Sequence, residues 1–463
     1  MRTTIRNIIY SVAGNGLSLF VSVCMILIVP KILGLQDYGY WQLFLFYFSY
    51  VGFLHFGWED GIYLRYSGLR YRDLDHSKIL GQGIAIFGMQ IFFSVLLLIF
   101  TVIKKNETDI GMVFYSLSIA IVLANSNNFF SLILQMTSRI REYAYLLVLE
   151  PIVFLLIVLI ELLVGGLSYF DVIIAKICAL LSVFLLGIIL LNDLWQKKLP
   201  TLKRILIEAF DNLRVGSKLM LANIANMLII GIVRWGISEG WDVVVFGKVS
   251  LILSISNFLL VFINAVSVVL LPALKRVPDA RRKELYVAGR MLLSMLILSI
   301  LLLYLPIREF LSIWLTKYVD SLKYLAVLFP VCLYEGKMSL LNNTFLKVIR
   351  CEKNIMYVNL FVLVISFFVT LITVMVIHSL TICVFSIVCI FAFRCYLTEV
   401  YIMFKIKHVN INYILGEIGM VLLFIFTSWH VEGILGMSVY FAGVLFYIML
   451  NKNNIRNSWK IIR

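Results

Sequence analysis

Long apolar runs constrain this chain more than any other feature of its sequence. A helix needs about 20 mostly apolar residues to cross the hydrocarbon core of a bilayer. The 463-residue sequence contains fourteen such runs, at residues 7–29, 41–63, 80–103, 110–134, 144–164, 171–192, 215–236, 243–271, 288–306, 322–345, 355–377, 380–402, 413–430 and 433–451. Strands of a membrane barrel would be about half that length, so the pattern predicts an all-α integral membrane protein with about fourteen transmembrane helices.

Composition leads to the same conclusion. Hydrophobic residues make up 62% of the chain and charged residues 14%, whereas soluble domains average about 45–50% and about 25%. A water-soluble core could not hide so much apolar surface. The net charge of +15 would suggest nucleic acid in a soluble protein, but in a membrane protein basic cytoplasmic loops explain it. We therefore expect no nucleic-acid partner.

The distribution of basic residues predicts an orientation. Most of the 40 Lys and Arg residues lie in the two tails and in alternate loops between the runs. The other set of loops holds only Lys31, Lys104, Lys105, Lys248, Arg308, Lys317 and Lys323. Loops rich in Lys and Arg stay in the cytoplasm, so both termini are predicted to be cytoplasmic.

The longest interruption, "LWQKKLPTLKRILIEAFDNLRVGSK" at residues 194–218, is basic and amphipathic. This pattern is typical of a helix lying in the lipid headgroups. The predicted domains are an N-terminal six-helix lobe (1–193), a cytoplasmic amphipathic linker (194–214), a C-terminal six-helix lobe (215–404), and two extra helices with a basic cytoplasmic tail (405–463). Apart from this interruption, the loops between the apolar runs are short and leave no room for a catalytic domain. The sequence also contains no phosphate-binding loop, zinc-protease motif or nucleophile elbow, so neither an enzyme nor a cofactor is expected.

Polar residues within the apolar runs are the candidate site residues. Such residues are costly in a bilayer and usually face the bundle interior or a wet cavity. At about 100° per residue they form coherent faces on three runs. These faces are Ser11, Asn15, Ser18 and Ser22 on the first run, Asn223, Asn226 and Arg234 on the seventh, and Ser250, Ser254, Asn257 and Asn264 on the eighth.

Two further cations, Lys337 and Arg394, lie deep within their runs. A cation at mid-span costs about 2.5–3.5 kcal/mol on insertion scales, so partners or water should surround each one. Both are candidates for substrate binding, with a structural ion pair as the competing interpretation. The predicted partners are Glu335, Asn342 and Asn343 for Lys337, and Glu399 for Arg394.

Adjacent acids, Glu59 and Asp60, end the second run. If residues 41–63 form one helix, Asp60 is in phase with Gln42 and Glu59 is turned about 100° away. Asp60 is therefore a candidate coupling residue, and Glu59 is expected to meet a neighbouring helix or the headgroups. The competing interpretation is an interfacial cluster in which the acids pair with Arg65, Arg70 or Arg72.

The segment "IVPKILGLQDYGYWQLFLFYFSYVGFLHFGWEDGIYLRY" (residues 28–66) resembles the start of the Wzx-type oligosaccharide flippases, which are bacterial polysaccharide-biosynthesis transporters. The resemblance is carried by Leu33-Gly34, Tyr38-Gly39, Gly57, Gly61 and Arg65-Tyr66.

Two stretches of the second half, "NMLIIGIVRWGI" and "VSVVLLPALKR", resemble that family's helix 7 arginine and its exit from helix 8. The arginine is Arg234 here, and the exit is residues 272–276. Val233 stands where many family members have an acid, so an acid–arginine pair does not carry over at this position.

The resemblance implies the fold of the multidrug/oligosaccharidyl-lipid/polysaccharide exporter superfamily. In that fold two six-helix lobes surround a central cavity that opens alternately to each side, and here two C-terminal helices would be added. It also implies a function in the bacterial cytoplasmic membrane. There the family moves polyprenyl-diphosphate-linked oligosaccharide to the outer leaflet for capsule or O-antigen-type synthesis, with membrane lipids and other polysaccharide assembly proteins as partners.

Three alternatives differ in what they require. An ion-coupled multidrug antiporter needs a deep acid in an apolar pocket, and Asp60 is shallow. A flippase for cell-wall lipid precursors would use the same architecture. A glycosyltransferase or polymerase would need a large outer loop, which the sequence lacks.

Overall fold

The computed structural model describes residues 2–104, 109–257, 279–406, 411–431 and 433–462. Within these ranges the chain is helical and contains no strand. It divides into two compact units, Met1–Ile224 and Ala225–Arg463, which we call unit 1 and unit 2. The four domain boundaries expected from the sequence stay a prediction.

Unit 1 is a bundle in which α4 packs on α5, α6 on α7, and α1 on α6. Its helices are α1 (Arg2–Ile32), α2 (Leu35–Val51), α3 (Trp58–Tyr66), α4 (His76–Ile103), α5 (Asp109–Met136), α6 (Ile140–Val164), α7 (Tyr169–Leu190), α8 (Asn192–Trp195) and the first part of α9 (Leu202–Gly240).

Unit 2 contains the rest of α9 and several helices interrupted by π-helical turns. Its further helices are α10 (Val243–Asn257), α11 (Asp279–Ile300), α12 (Tyr304–Trp314), α13 (Val319–Leu328), α14 (Val331–Lys337), α15 (Asn343–Val348), α16 (Glu352–Leu371), α17 (Leu380–Lys405), α18 (Ile411–Phe426), α19 (Gly433–Leu450) and α20 (Lys452–Ile462). The π-helical turns are Met338–Asn342, Ile372–Val376 and Thr427–Val431.

Eleven helices in the described ranges are long and apolar enough to cross a membrane. A twelfth is reached if Thr316–Leu328 and Val331–Val348, bent by 41° from each other, form one span. This confirms the all-α, multi-pass prediction. Each apolar run of the sequence coincides with one of these helices, except 41–63, which is broken, and 243–271, which is described only as far as Asn257.

The prediction of one continuous helix over residues 41–63 is wrong. Helix α2 ends at Val51, and a 3₁₀ turn leads to Phe56 (φ 53°) and Gly57 (φ 84°), both left-handed, before α3 begins. Two successive left-handed residues end a right-handed helix. The phase relation between Gln42 and Asp60, which assumed an unbroken helix, therefore does not hold.

Close backbone contact explains why glycines flank this break. A Cβ on Gly61 would lie 2.0 Å from the carbonyl oxygen of Asn212, and one on Gly216 would lie 1.9 Å from that of Gly57. Backbone atoms cannot move aside as a flexible side chain can. The first half of α9 is thus docked directly on α3, and only glycine fits at the contact.

We expect Gly61→Ala to destabilise unit 1, because the added methyl group overlaps the backbone of α9. Overpacking of this kind typically costs about 1–3 kcal/mol. The measurement is thermal unfolding of the purified protein in detergent. The matched control is Gly88→Ala in α4, where a Cβ meets nothing within 4 Å. Equal melting temperatures for the two variants would contradict the close docking.

Candidate functional site

Unit 2 contains a cluster of four buried charges, which we call the charge quartet. Its members are Arg290 on α11, Lys337 on α14, Glu399 on α17 and Glu417 on α18. Arg290 is 3% exposed and the other three are fully buried. Four separate helices therefore contribute one charged side chain each to a site away from water.

Each cation of the charge quartet contacts both of its carboxylates. The Lys337 Nζ donates to Glu417 Oε2 at 2.6 Å and lies 2.9 Å from Glu399 Oε1. The Arg290 Nε donates to Glu399 Oε1 at 2.6 Å, and its Nη2 lies 3.5 Å from Glu417 Oε1. Two cations face two carboxylates, so the formal charges cancel. Buried charges are tolerated when they are paired in this way.

Within the described residues no group of three His, Cys, Asp or Glu side chains could hold a metal ion. In the charge quartet both carboxylates already contact the Lys337 ammonium.

A π-helical turn, Met338–Asn342, begins directly after Lys337. Such turns are rare and often occur at functional sites.

A second buried cation, Arg394, forms its own group. Its Nη1 donates to Glu335 Oε1 at 2.5 Å, and its Nε donates to Asn359 Oδ1 at 3.0 Å. Arg394 is 1% exposed, whereas the Glu335 side chain is 20% exposed. One edge of this ion pair is therefore accessible, while the guanidinium itself is enclosed.

The partners predicted for the two deep cations are wrong, and two of them are exchanged. Glu399 binds Lys337, whereas Glu335 binds Arg394. The prediction paired residues two, five or six positions apart on one helix. At about 100° per residue such residues point roughly 120–160° apart and do not face each other. The true partners come from other helices.

Sequence reasoning missed two members of the charge quartet. Arg290 lies near the start of the run 288–306, next to a basic loop, so its position in the sequence does not distinguish it from the cytoplasmic charges that set the orientation. Glu417 is an acid four residues into the run 413–430. An acid within an apolar run indicates half of a buried pair, because an unpaired carboxylate is costly there.

Arg234 on α9 contacts α10. Its Nη2 donates to Ser250 Oγ at 3.1 Å, and its guanidinium lies 5.5 Å from the centre of the Phe246 ring. Arg234 is half-buried. The structure therefore brings together one residue from the polar face of the seventh run and one from that of the eighth.

Four of the five predicted cavity amides are exposed in the structure. Asn15 on α1 and Asn223 on α9 belong to unit 1, and Asn226 and Asn257 belong to unit 2. Asn264 lies outside the described residues. Joint lining of one cavity by these five amides stays a prediction.

The two adjacent acids have different surroundings. Glu59 is fully buried and accepts a hydrogen bond from the Asn128 Nδ2 of α5, whereas Asp60 is half-buried. The contact with α5 agrees with the expectation that Glu59 meets a neighbouring helix. The alternative pairing with nearby arginines is not observed for Arg65 or Arg70, which bind other carboxylates.

Arg65 instead belongs to a polar seam between α3 and α9. Its Nη1 donates to Glu208 Oε1 at 2.6 Å, and the same oxygen accepts from the Tyr66 hydroxyl. The Lys78 ammonium lies 3.1 Å from the other Glu208 oxygen. Glu208 is 6% exposed. The headgroup position expected for residues 194–214 stays a prediction.

Buried amides continue the seam. The Asn212 Oδ1 accepts from Arg65 at 2.6 Å, and its Nδ2 donates to Gln82 Oε1 at 3.3 Å. The Trp58 Nε1 donates to the same Gln82 oxygen at 2.7 Å. Side chains of α3, α4 and α9 are thus joined by one hydrogen-bond network, which fixes the start of α9 within unit 1.

Comparison with known proteins gives matches at the level of the fold and none at the level of the sequence. No protein-family model and no curated protein matches the sequence. A solved structure of the lipid II flippase MurJ in an inward closed conformation aligns with 97% of this chain and 100% of that one, at TM-score 0.65 and 14% identity. An inward-facing multidrug resistance MATE family transporter of the MOP superfamily aligns with 84% of this chain and 98% of that one, at TM-score 0.56 and 13% identity. The chain therefore shares its multi-pass membrane fold with these two solved structures.

Proposed function

We propose that this protein is a flippase that moves polyprenyl-diphosphate-linked oligosaccharide across the bacterial cytoplasmic membrane for capsule or O-antigen-type polysaccharide. The observation that carries the proposal is the extent of the fold likeness. The match to a lipid flippase covers 97% of this chain, whereas the match to the multidrug transporter covers 84%. A fold shared over nearly the whole chain favours a substrate with a lipid tail.

The proposed architecture has fourteen spans, with two six-helix lobes around a cavity that opens alternately to each side. Two further helices follow, and both termini are cytoplasmic. The exposed amides Asn15, Asn223, Asn226 and Asn257 suit this proposal, because amides offer both donors and acceptors to sugar hydroxyls. Asp60, half-buried on α3, remains the proposed coupling residue.

Among the three predicted cations, Arg234 is best suited to the diphosphate. Lys337 is fully buried and Arg394 is 1% exposed, which leaves neither side chain open to a substrate of this size. Arg234 is half-buried, and its guanidinium is positioned by a hydrogen bond to the Ser250 hydroxyl. A guanidinium also matches phosphate oxygens in a bidentate geometry.

The decisive experiment is deletion of the gene, followed by analysis of the lipid-linked sugars that accumulate. We expect an oligosaccharide on polyprenyl diphosphate to accumulate on the inner leaflet, where an added membrane-impermeant glycosidase cannot reach it. Re-expression of the wild-type chain should restore surface polysaccharide. Unchanged lipid-linked sugars, together with new sensitivity to toxic cations, would contradict the proposal and favour the multidrug antiporter.

A second candidate is a flippase for the cell-wall lipid precursor, and the same fold likeness to a lipid II flippase favours it. Deletion would then cause lysis and accumulation of the wall precursor, with surface polysaccharide as a secondary loss. The identity of the accumulated lipid separates the two candidates.

A further inference from the structure

A polar pocket lies in unit 2 between α11, the start of α18 and the C-terminal helix α20. Its volume is about 210 Å³. The polar side chains on its wall are Lys283, Arg290, Tyr413, Asn454, Asn457 and Ser458, and Glu284 is the one acid. The pocket thus combines cationic, amide and hydroxyl groups, which are the donors that bind phosphate oxygens.

Arg290 connects this pocket to the charge quartet. Its Nε and Nη2 face Glu399 and Glu417, while Nη1 makes no hydrogen bond to any residue described by the structure. The guanidinium is 3% exposed and is held in place by these carboxylates. Its charge is balanced by these carboxylates, so Arg290 offers the pocket a fixed N–H donor, and the ammonium of Lys283 at the rim supplies the positive charge.

Helix α20 places the pocket at the level of the lipid headgroups. The helix begins one residue after α19, a candidate membrane span that ends at Leu450. Ser458 is buried, whereas Trp459 is 62% exposed and Lys460 is also exposed. Exposed tryptophan and basic residues on a short amphipathic helix are typical of a helix in the membrane interface.

We propose that this pocket binds the phosphate group of an anionic phospholipid headgroup. The walls support a lipid over a free phosphate ion, because apolar Val287, Ala288 and Met291 lie beside the polar groups. A headgroup presents a charged phosphate next to apolar glycerol and acyl segments, and the pocket presents the complementary surfaces. This inference does not depend on which substrate the protein transports.

The test measures lipid binding to the purified full-length protein in neutral detergent, by native mass spectrometry with added phosphatidylglycerol or phosphatidylcholine. We expect selective binding of phosphatidylglycerol, and binding about tenfold weaker in Lys283→Gln, since one charged contact of about 1.4 kcal/mol is lost. The matched control, Lys460→Gln, removes the same charge from α20 at a position that does not line the pocket, and its affinity should stay close to that of the wild type.

A second variant, Ser458→Leu, fills the pocket without changing charge and should also abolish the selectivity for phosphatidylglycerol. Thermal unfolding without added lipid reports whether each variant is folded. If Lys283→Gln and Lys460→Gln lose the same affinity for phosphatidylglycerol, the proposed pocket is wrong. The lipid would then be attracted by the basic charge of this region in general. If glycerol 3-phosphate binds as tightly as the lipid, the pocket does bind a phosphate group. The proposal that a phospholipid supplies this phosphate would then be wrong. No step of this experiment measures transport, so its failure is separate from failure of the proposed function.

Discussion

Glu417→Gln is expected to destabilise the protein more than the loss of any exposed charge. The change leaves Lys337 and Arg290 facing a single carboxylate, Glu399, within a site where each charged side chain is at most 3% exposed. Removing one partner from a buried set of charges typically costs about 3–5 kcal/mol, because a charge remains uncompensated. Thermal unfolding in detergent would show this as a large fall in melting temperature.

The control for this result is a pair of further variants. Glu239→Gln removes an exposed acid and should change stability by less than about 0.5 kcal/mol. The double variant Lys337→Met, Glu417→Gln leaves the balanced pair Arg290 and Glu399, so we expect it to be more stable than Glu417→Gln alone. If the double variant instead loses as much stability as the two single variants together, packing and not charge balance sets the stability of this site.

The charge quartet also shows what the sequence could and could not predict. The apolar runs predicted the helices well, because the requirement for about 20 apolar residues acts locally along the chain. Ion pairs depend on which helices become neighbours. Glu399 and Lys337 lie on different helices, and nothing in either run specifies that the two faces meet.

The polar faces predicted from helical phase were correct only where the helix is unbroken. Arg234 and Ser250 each lie on an unbroken helix, α9 and α10, so the angular positions calculated from the sequence placed both on polar faces. The same calculation failed for Gln42 and Asp60, because the chain turns left-handed at Phe56 and Gly57 between them. A phenylalanine gives no signal for a left-handed backbone, and the tight approach of Gly216 becomes visible only in three dimensions.

Arg234→Ala is expected to abolish transport while leaving the protein folded and inserted. If Arg234 contacts the diphosphate, its loss removes a charge-assisted interaction worth about 3 kcal/mol, which corresponds to roughly a hundredfold fall in transport. The measurement is uptake of a labelled polyprenyl-diphosphate oligosaccharide by proteoliposomes, with surface polysaccharide as a cellular readout.

Three comparisons make this result specific to the diphosphate. Lys218→Ala removes an exposed cation from the same helix and should leave transport unchanged. Arg234→Lys keeps the charge but loses the bidentate fork, so its activity should lie between those of the wild type and Arg234→Ala. Ser250→Ala removes the hydroxyl that orients the guanidinium at 3.1 Å and should weaken transport only modestly. Equal transport by Arg234→Ala and the wild type at matched protein levels would leave Arg234 a structural link between α9 and α10, and the diphosphate would then need a cation from elsewhere in the chain.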